Sequence, residues 1–326
     1  METDLVNDIP ELLRERLSNY DGELIGRRLI PVIDLKDFSS RRKKVEEELW
    51  EVCTNVGFFQ LKNHGIPLDK INAAFLFLDK FFSLSEDIKK KYPLSNNCGW
   101  EYRKQVRPST GAPDRKESYQ ITKNIMGKLW PEMDLPGFSE VMLELENLSW
   151  TVGMQVLSCF TRRLELPGDF FSIAHDPDSS EYQSTLRLLR YFGGTDAARS
   201  KEWGAGAHTD YNCLTLVFQT EGEDGLEVCP GKEYSSGSWT PVSSTPVELI
   251  TCNIGDMLMR WSDDRLVSNF HRVRTPPPGK KRDSIAFFCQ ANRDIMIRSR
   301  LHGEMNAGEY LRKRVSANFG EKAFDM

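Results

Sequence analysis

The residues best suited to chemistry are a histidine and an aspartate two positions apart. In GAGAHTDYNCLTLVFQ, residues 204–219, His208 precedes Asp210 at the mouth of an apolar, β-type run. Side chains at i and i+2 share one face of a strand, so this imidazole and this carboxylate would aim at one spot. Alone, the pair fits a hydrogen-bonded structural histidine as well as a ligand. A second histidine, His271 in VSNFHRVRTP, stands on another β-type run about sixty residues downstream. Two histidines and one carboxylate that leave coordination positions free suit non-haem Fe(II). A structural zinc site would tend to close its last position with cysteine. Cys213 and Cys252 have no ligand spacing to this set.

Next along the chain, KRDSIAFFCQ carries Arg282 and Ser284, again two positions apart on a β-type run. A planar guanidinium beside a hydroxyl is a good receptor for a carboxylate. Upstream, LRLLRYF supplies Tyr191 as a third donor. A metal with a carboxylate anchor nearby fits a short keto-diacid: its keto-acid end chelates and its far carboxylate meets Arg282.

The elements that must position these groups are legible in outline. The first residues, to about 28, read as a helix with a loose lead-in; LIPVIDLKDF (29–38) reads as a short strand. SRRKKVEEELWEVCTNVG (40–57) has the helical period, with Val45, Leu49 and Val52 or Cys53 on one face and Gly57 as the stop. GFFQLKNHGIP (57–67) reads as a strand ending in a turn, with helices around 68–82 and 84–91 after it. Ser83 and Glu86 have capping-box spacing at the start of the second. Residues 96–123, rich in Gly, Pro, Arg and aromatics, have little period and read as a long irregular functional loop. A long helix follows around 137–165. From about 184, short β-rich runs separated by Gly, Pro, Asp and Ser clusters signal an antiparallel sandwich or barrel. The end, from Gly308, reads as helical. We therefore expect a mainly β protein with flanking helices, built as one integrated domain over 1–326. A helical or mixed region would fill 1–180 and the β-core 184–300.

Bulk properties narrow the partners. A net charge of −5 with dispersed basic residues argues against nucleic acid. No apolar stretch reaches the roughly 18 residues of a spanning helix. The amphipathic, acidic N-terminus has no secretory pattern. Seven scattered cysteines without CxxC pairs read as buried, reduced thiols of a cytoplasmic protein. His64 in KNHGIP reads as structural, His175 and His302 as surface residues, and Asn253, Gly255 and Asp256 as a tight structural turn. The small residues 204–207 would keep the approach to a metal uncrowded.

Taken in order, IPVIDL (30–35), GFFQLKNHGIP, GAGAHTDYNCLTLVFQ, GLEV (225–228), NIGDMLMRWSDDRLVSNFHRV (253–273) and RDSIAFF (282–288) resemble the isopenicillin N synthase-like branch of the Fe(II)/2-oxoglutarate-dependent dioxygenases over nearly the whole chain. The resemblance implies a double-stranded β-helix, or jelly roll. It implies His208, Asp210 and His271 as catalytic iron ligands, with Arg282, Ser284 and Tyr191 on the distal carboxylate of 2-oxoglutarate. Leu189 stands where many plant members have Asn, and Phe192 follows Tyr191 where Pro is familiar. It also implies dioxygen as cosubstrate and the release of succinate and carbon dioxide. The substrate, a small molecule of specialised or amino-acid metabolism, would be hydroxylated, desaturated or cyclised by a monomer or weak homo-oligomer. Substrate contacts would come from the 99–122 loop, through Tyr102, Arg103, Arg107 and Tyr119, and from Phe288. Two other readings fit the same residues: an oxidase of this fold that does not use 2-oxoglutarate, and a non-catalytic binding protein.

Overall fold

The computed structural model describes residues 9–17, 30–195, 202–229, 238–242 and 246–319. An eight-stranded sheet runs in the order β1-β2-β10-β7-β12-β5-β4-β3. Its strands are β1 (Val32–Asp34), β2 (Phe58–Lys62), β3 (Gly99–Tyr102), β4 (Lys116–Ile121), β5 (Thr185–Phe192), β7 (Leu214–Gln219), β10 (Ile250–Ile254) and β12 (Lys281–Cys289). A four-stranded sheet, in the order β6-β11-β8-β9, comprises β6 (Trp203–His208), β8 (Leu226–Cys229), β9 (Thr240–Pro241) and β11 (Phe270–Arg274). A hairpin of β13 (Met296–Ser299) and β14 (Gly303–Asn306) stands apart. The two larger sheets face each other as in a jelly roll, and one cavity takes its walls from both.

The large sheet is buried on both faces. On β12, Ile285, Phe287 and Cys289 belong to the main core beneath the helices, while Arg282, Ser284, Ala286 and Phe288 line the cavity. β5 alternates in the same way, with Leu186 and Leu188 in that core and Arg187, Leu189 and Tyr191 on the cavity. On β7, Leu214, Leu216 and Phe218 face the core, and Thr215 and Val217 the cavity. The period of two thus separates a structural face from a chemical one.

The helices are α1 (Pro10–Leu17), α2 (Phe38–Asn55), α3 (Leu68–Phe82), α4 (Glu86–Lys89), α5 (Phe138–Ser158), α6 (Phe170–Ala174), α7 (Asp256–Trp261) and α8 (Ala307–Phe319). α2 buries Val45, Leu49 and Cys53 and stops at Gly57, which has φ +70 and no room for a Cβ against the Val267 carbonyl. α5 covers the outer face of the large sheet; a Cβ on Gly153 would lie 2.5 Å from Cys289 Sγ.

Several expectations change. Residues 96–123 are not wholly irregular: β3 and β4 lie there and extend the large sheet beyond β5. Both faces of β4 are buried with polar side chains in pairs, as where Lys89 meets Glu117 at 2.8 Å, so neither face shows an apolar stripe. The capping box is absent, since Ser83 ends α3 and α4 starts after Ser85 without a side-chain cap. The long helix ends at Ser158, and Glu165 has φ 57 in the turns beyond. His175 is fully buried rather than on the surface, its Nδ1 2.8 Å from the Phe171 carbonyl, and burial pushes its pKa down to about 4. His302 is half-buried against Asp264. His64 closes a turn, with Nε2 3.0 Å from the Glu248 carbonyl. The seven cysteines are all buried. Of the expected N-terminal helix and lead-in, residues 1–8 and 18–28 lie outside the described residues. Among the described residues no helix is long and apolar enough to cross a membrane.

α1 and α8 meet in a buried ion cluster. The Arg314 guanidinium contacts Glu15 Oε1 from α1 and lies 3.0 Å from Asp256 Oδ2 at the start of α7. It also donates to Thr209 Oγ1 at 3.1 Å, and Thr209 donates to Asp256 Oδ2 at 2.7 Å. Removing one member of such a buried pair strands the rest at a cost of about 3–5 kcal/mol. Arg314→Leu is therefore expected to lower the free energy of unfolding by about 3–5 kcal/mol in urea titrations. A change below about 1 kcal/mol would refute this account of the cluster.

Candidate metal centre and its cavity

β6 and β11 are antiparallel neighbours whose register sets His208 directly opposite His271. The imidazole centroids are 4.1 Å apart. Asp210 lies past the end of β6, so strand alternation does not deliver it. A turn does: the Asp256 amide donates to the Asp210 carbonyl at 2.8 Å. Thr215 Oγ1 on β7 and Asn253 Nδ2 on β10 donate to Asp210 Oδ2 at 2.6 and 2.8 Å. The other oxygen, Oδ1, is left 4.0 Å from His208 Nε2 and 3.7 Å from His271 Nε2. One ligand atom from each of the three buried residues lies within 4.8 Å of the others.

The far side of each imidazole is also committed. His208 Nδ1 is 2.7 Å from the Gly206 carbonyl and His271 Nδ1 is 3.4 Å from that of Asn269. A carbonyl only accepts, so these contacts assign the ring hydrogen to Nδ1 and the lone pair to Nε2. Burial pushes the pKa of His208 well down, with Arg107 and His271 adding to the effect. Burial also lowers that of His271, against the pull of Asp210. Two neutral imidazoles and a carboxylate with one oxygen tied back form a donor set fit for a divalent cation.

The cavity in front of this set is lined by Tyr191, Arg282 and Ser284 as well. Arg282 pairs with Tyr191 across β12 and β5, its guanidinium 5.1 Å above the phenol ring. Arg282 donates to the Gln219 side chain and, at 3.3 Å, to the Glu223 carbonyl; it has no carboxylate partner among the described residues. Burial raises the pKa of Tyr191, and so keeps its hydroxyl a donor.

The residues expected to read the substrate divide. Arg107 and Phe288 line the cavity. Tyr119 does not: it is fully buried behind the sheet, donates to the Leu129 carbonyl and packs on Phe81. Tyr102 is 51% exposed at the sheet edge against Phe192, and Arg103 pairs there with Glu202. Both lie outside the cavity lining. The small residues before His208 accommodate neighbours rather than an open approach. A Cβ on Gly206 would sit 2.8 Å from Thr110 Cγ2, and one on Gly204 3.0 Å from Tyr191 Cδ1.

Sequence reasoning missed Thr215, Lys116, Gln105, Arg187 and Gln290. Arg187 had a signal, because it shares the alternation of Leu189 and Tyr191. Asn253 belongs to β10 rather than to a turn, Gly255 precedes α7, and Asp256 begins that helix. Lys116 was hidden by its partner: it pairs with buried Asp114 at 2.6 Å, the carboxylate that the expected Arg107 also meets, at 3.0 Å.

Known proteins give this geometry its context. Residues 30–134 match the model of the non-haem dioxygenase N-terminal region, described from morphine synthesis, and residues 183–291 that of the 2OG-Fe(II) oxygenase superfamily. The chain is 34% identical to UPF0676 protein C1494.01 of Schizosaccharomyces pombe, over 92% of this chain and 95% of that one. It is 32% identical to the proline hydroxylase buaE of Petromyces alliaceus, over 81% and 87%. The crystal structure of a full-length Neurospora crassa protein in complex with alpha-KG superposes with a TM-score of 0.77 at 26% identity, over 92% of this chain and all of that one. The same protein with alpha-KG and thymine gives 0.76 at 27% identity, over 92% and 98%. The chain belongs to the Fe(II)/2-oxoglutarate-dependent dioxygenases, and it is an oxidoreductase of their isopenicillin N synthase-like branch that acts on a small molecule.

Proposed function

We propose that His208 Nε2, Asp210 Oδ1 and His271 Nε2 hold the Fe(II) of this dioxygenase. The carrying observation is that these atoms converge while the opposite atom of each side chain is already bound. Arg282, Ser284 and Tyr191 then receive the distal carboxylate of 2-oxoglutarate, a role supported by a guanidinium with no carboxylate partner beside two hydroxyls in the same cavity. When bound, the iron and its 2-oxoglutarate activate dioxygen and supply the oxidant, with succinate and carbon dioxide as coproducts.

The chain's own residues bind, orient and exclude water. Thr215 and Asn253 fix the Asp210 carboxylate so that only one oxygen faces the metal position. The backbone carbonyls of Gly206 and Asn269 fix the ring orientation of the two histidines. Phe58 sets its ring edge-on to His271, 5.6 Å between centroids, and shields that side with Leu189, Val217, Leu226 and Val273. A dry wall of this kind protects a reactive oxidant from quenching. Arg107 and Phe288 are the two expected substrate contacts that this lining supports. Thymine in the Neurospora crassa complex supports a compact, ring-sized substrate here. Hydroxylation, desaturation and ring closure all remain within the chemistry of such a centre.

We further propose that the whole chain works as one integrated domain, because β1 to β4 of the N-terminal half are strands of the same sheet as the core. It would act in the cytoplasm, as a monomer or weak homo-oligomer, without nucleic acid or membrane. Buried cysteines and a net charge of −5 support this setting.

Three outcomes test the site. His208→Ala or Asp210→Ala should abolish substrate-driven succinate release at low Fe(II); near-normal release by either would overturn the metal assignment. Arg282→Ala should raise the KM for 2-oxoglutarate roughly 10- to 100-fold, the worth of a charge-assisted pair. An unchanged KM would overturn the assignment of Arg282 to the cosubstrate's distal carboxylate. Asn253→Ala should weaken Fe(II) affinity about 10- to 100-fold in metal titrations while the fold persists by circular dichroism.

A further inference from the structure

Positive charge in the cavity exceeds what the proposed iron and 2-oxoglutarate account for. Arg107, Lys116, Arg187 and Arg282 line it, and Asp210 is the one carboxylate among the described lining residues. Arg107 and Lys116 share the buried carboxylate of Asp114 just behind the wall. A divalent metal and the dianion of 2-oxoglutarate cancel each other in charge. Two guanidiniums, Arg282 and Arg187, are left without a carboxylate partner among the described residues. The proposed reading uses only Arg282.

Arg187 is too far along the sheet to serve the same ligand group. In the antiparallel register Arg282 faces Tyr191, whereas Arg187 faces Ala286. That is four residues further, or about 13 Å along the strands. The two side chains also lean apart. Arg282 stacks over Tyr191, whereas Arg187 stacks over Phe288, 4.9 Å from its ring centroid and further still from Arg282 along β12. A five-carbon diacid anchored at Arg282 does not span this separation. Arg187 donates through Nη2 to Gln120 Oε1 at 2.5 Å, but its Nε is buried and has no partner. Two acceptors of the same lining, Asn97 Oδ1 and Gln290 Oε1, are likewise buried and unpartnered. An arginine cannot shed its proton to escape burial, so a buried guanidinium N–H without a partner favours an acceptor on a ligand.

We propose that Arg187 is the substrate's anchor and that the substrate is a small carboxylic acid. Its carboxylate meets the Arg187 guanidinium, its body lies on Phe288 beside Leu311 and Val315 of α8, and an N–H or O–H on that body meets Asn97 or Gln290. The inference rests on the proposed metal and 2-oxoglutarate roles and assigns the specificity of that same site.

The test is a binding measurement on the protein loaded with Mn(II) and 2-oxoglutarate, using 4-hydroxyphenylacetate and its primary amide as probes. By calorimetry the acid should bind at least about tenfold more tightly than the amide, as a charge-assisted hydrogen bond implies. Arg187→Gln should erase that preference, and Arg187→Lys should retain part of it, which separates charge from folding. Equal binding of acid and amide, tighter binding of neutral thymine than of the acid, or a preference that survives in Arg187→Gln would overturn the proposal. So would a large loss of 2-oxoglutarate affinity in Arg187→Gln, since it would assign the residue to the cosubstrate. Mn(II)-dependent 2-oxoglutarate binding by the unaltered protein is measured in parallel. Its absence counts against the underlying site roles, whereas its presence with a failed acid preference counts against Arg187 alone.

Discussion

The rest of the structure depends on one sheet being buried twice. Strands β5, β7 and β12 give alternate side chains to two different interiors, an apolar one under α5 and a polar one around the metal position. A one-residue slip of any of them would drive Arg282, Ser284 or Arg187 into a hydrocarbon core and pull leucines into the cavity. The register is held by packing on the helix side: Leu186, Leu188, Ile285 and Phe287 are all fully buried there. Chemistry on one face is thus fixed by hydrophobic burial on the other.

The polar interior is organised by assigning each group one partner and leaving one face free. Asp210 spends one oxygen on Thr215 and Asn253, and each histidine spends one nitrogen on a carbonyl. Asp114 spends its charge on two cations at once and also accepts the Gly206 amide at 2.9 Å, so the cation-bearing 105–116 segment is stitched to β6. Among the described lining residues, Arg187 Nε, Asn97 Oδ1 and Gln290 Oε1 escape this pattern.

Much of this was legible in the chain, for reasons that can be stated. His208, His271, Arg282 and Ser284, which the fold gathers around one cavity, stand out in the sequence because metal and carboxylate chemistry demands particular residue types on β-type runs. The jelly roll was legible from short runs with frequent turn signals. What stayed hidden was anything made by long-range pairing. Strands β3 and β4 carry buried polar residues whose partners lie on other elements, so their pattern resembles a loop. The support of Asp210 by Thr215 and Asn253 joins a turn to two separate strands, and Asn253 taken locally has the composition of a turn. Tyr119 was misplaced because an aromatic near an arginine-rich segment is indistinguishable, in sequence, from one pointing behind the sheet.

The cluster of Glu15, Arg314, Asp256 and Thr209 ties both ends of the described chain to the residue that separates two members of the metal set. α8 also contributes Leu311 and Val315 to the cavity wall. A frameshift or early stop near residue 305 would leave each motif of the metal centre encoded in full. It would nevertheless remove a wall of the cavity and the cation that binds Thr209, between His208 and Asp210. Among relatives of this chain, then, an intact histidine–aspartate–histidine string is an incomplete criterion for an active gene; the last helix has to be read along with it.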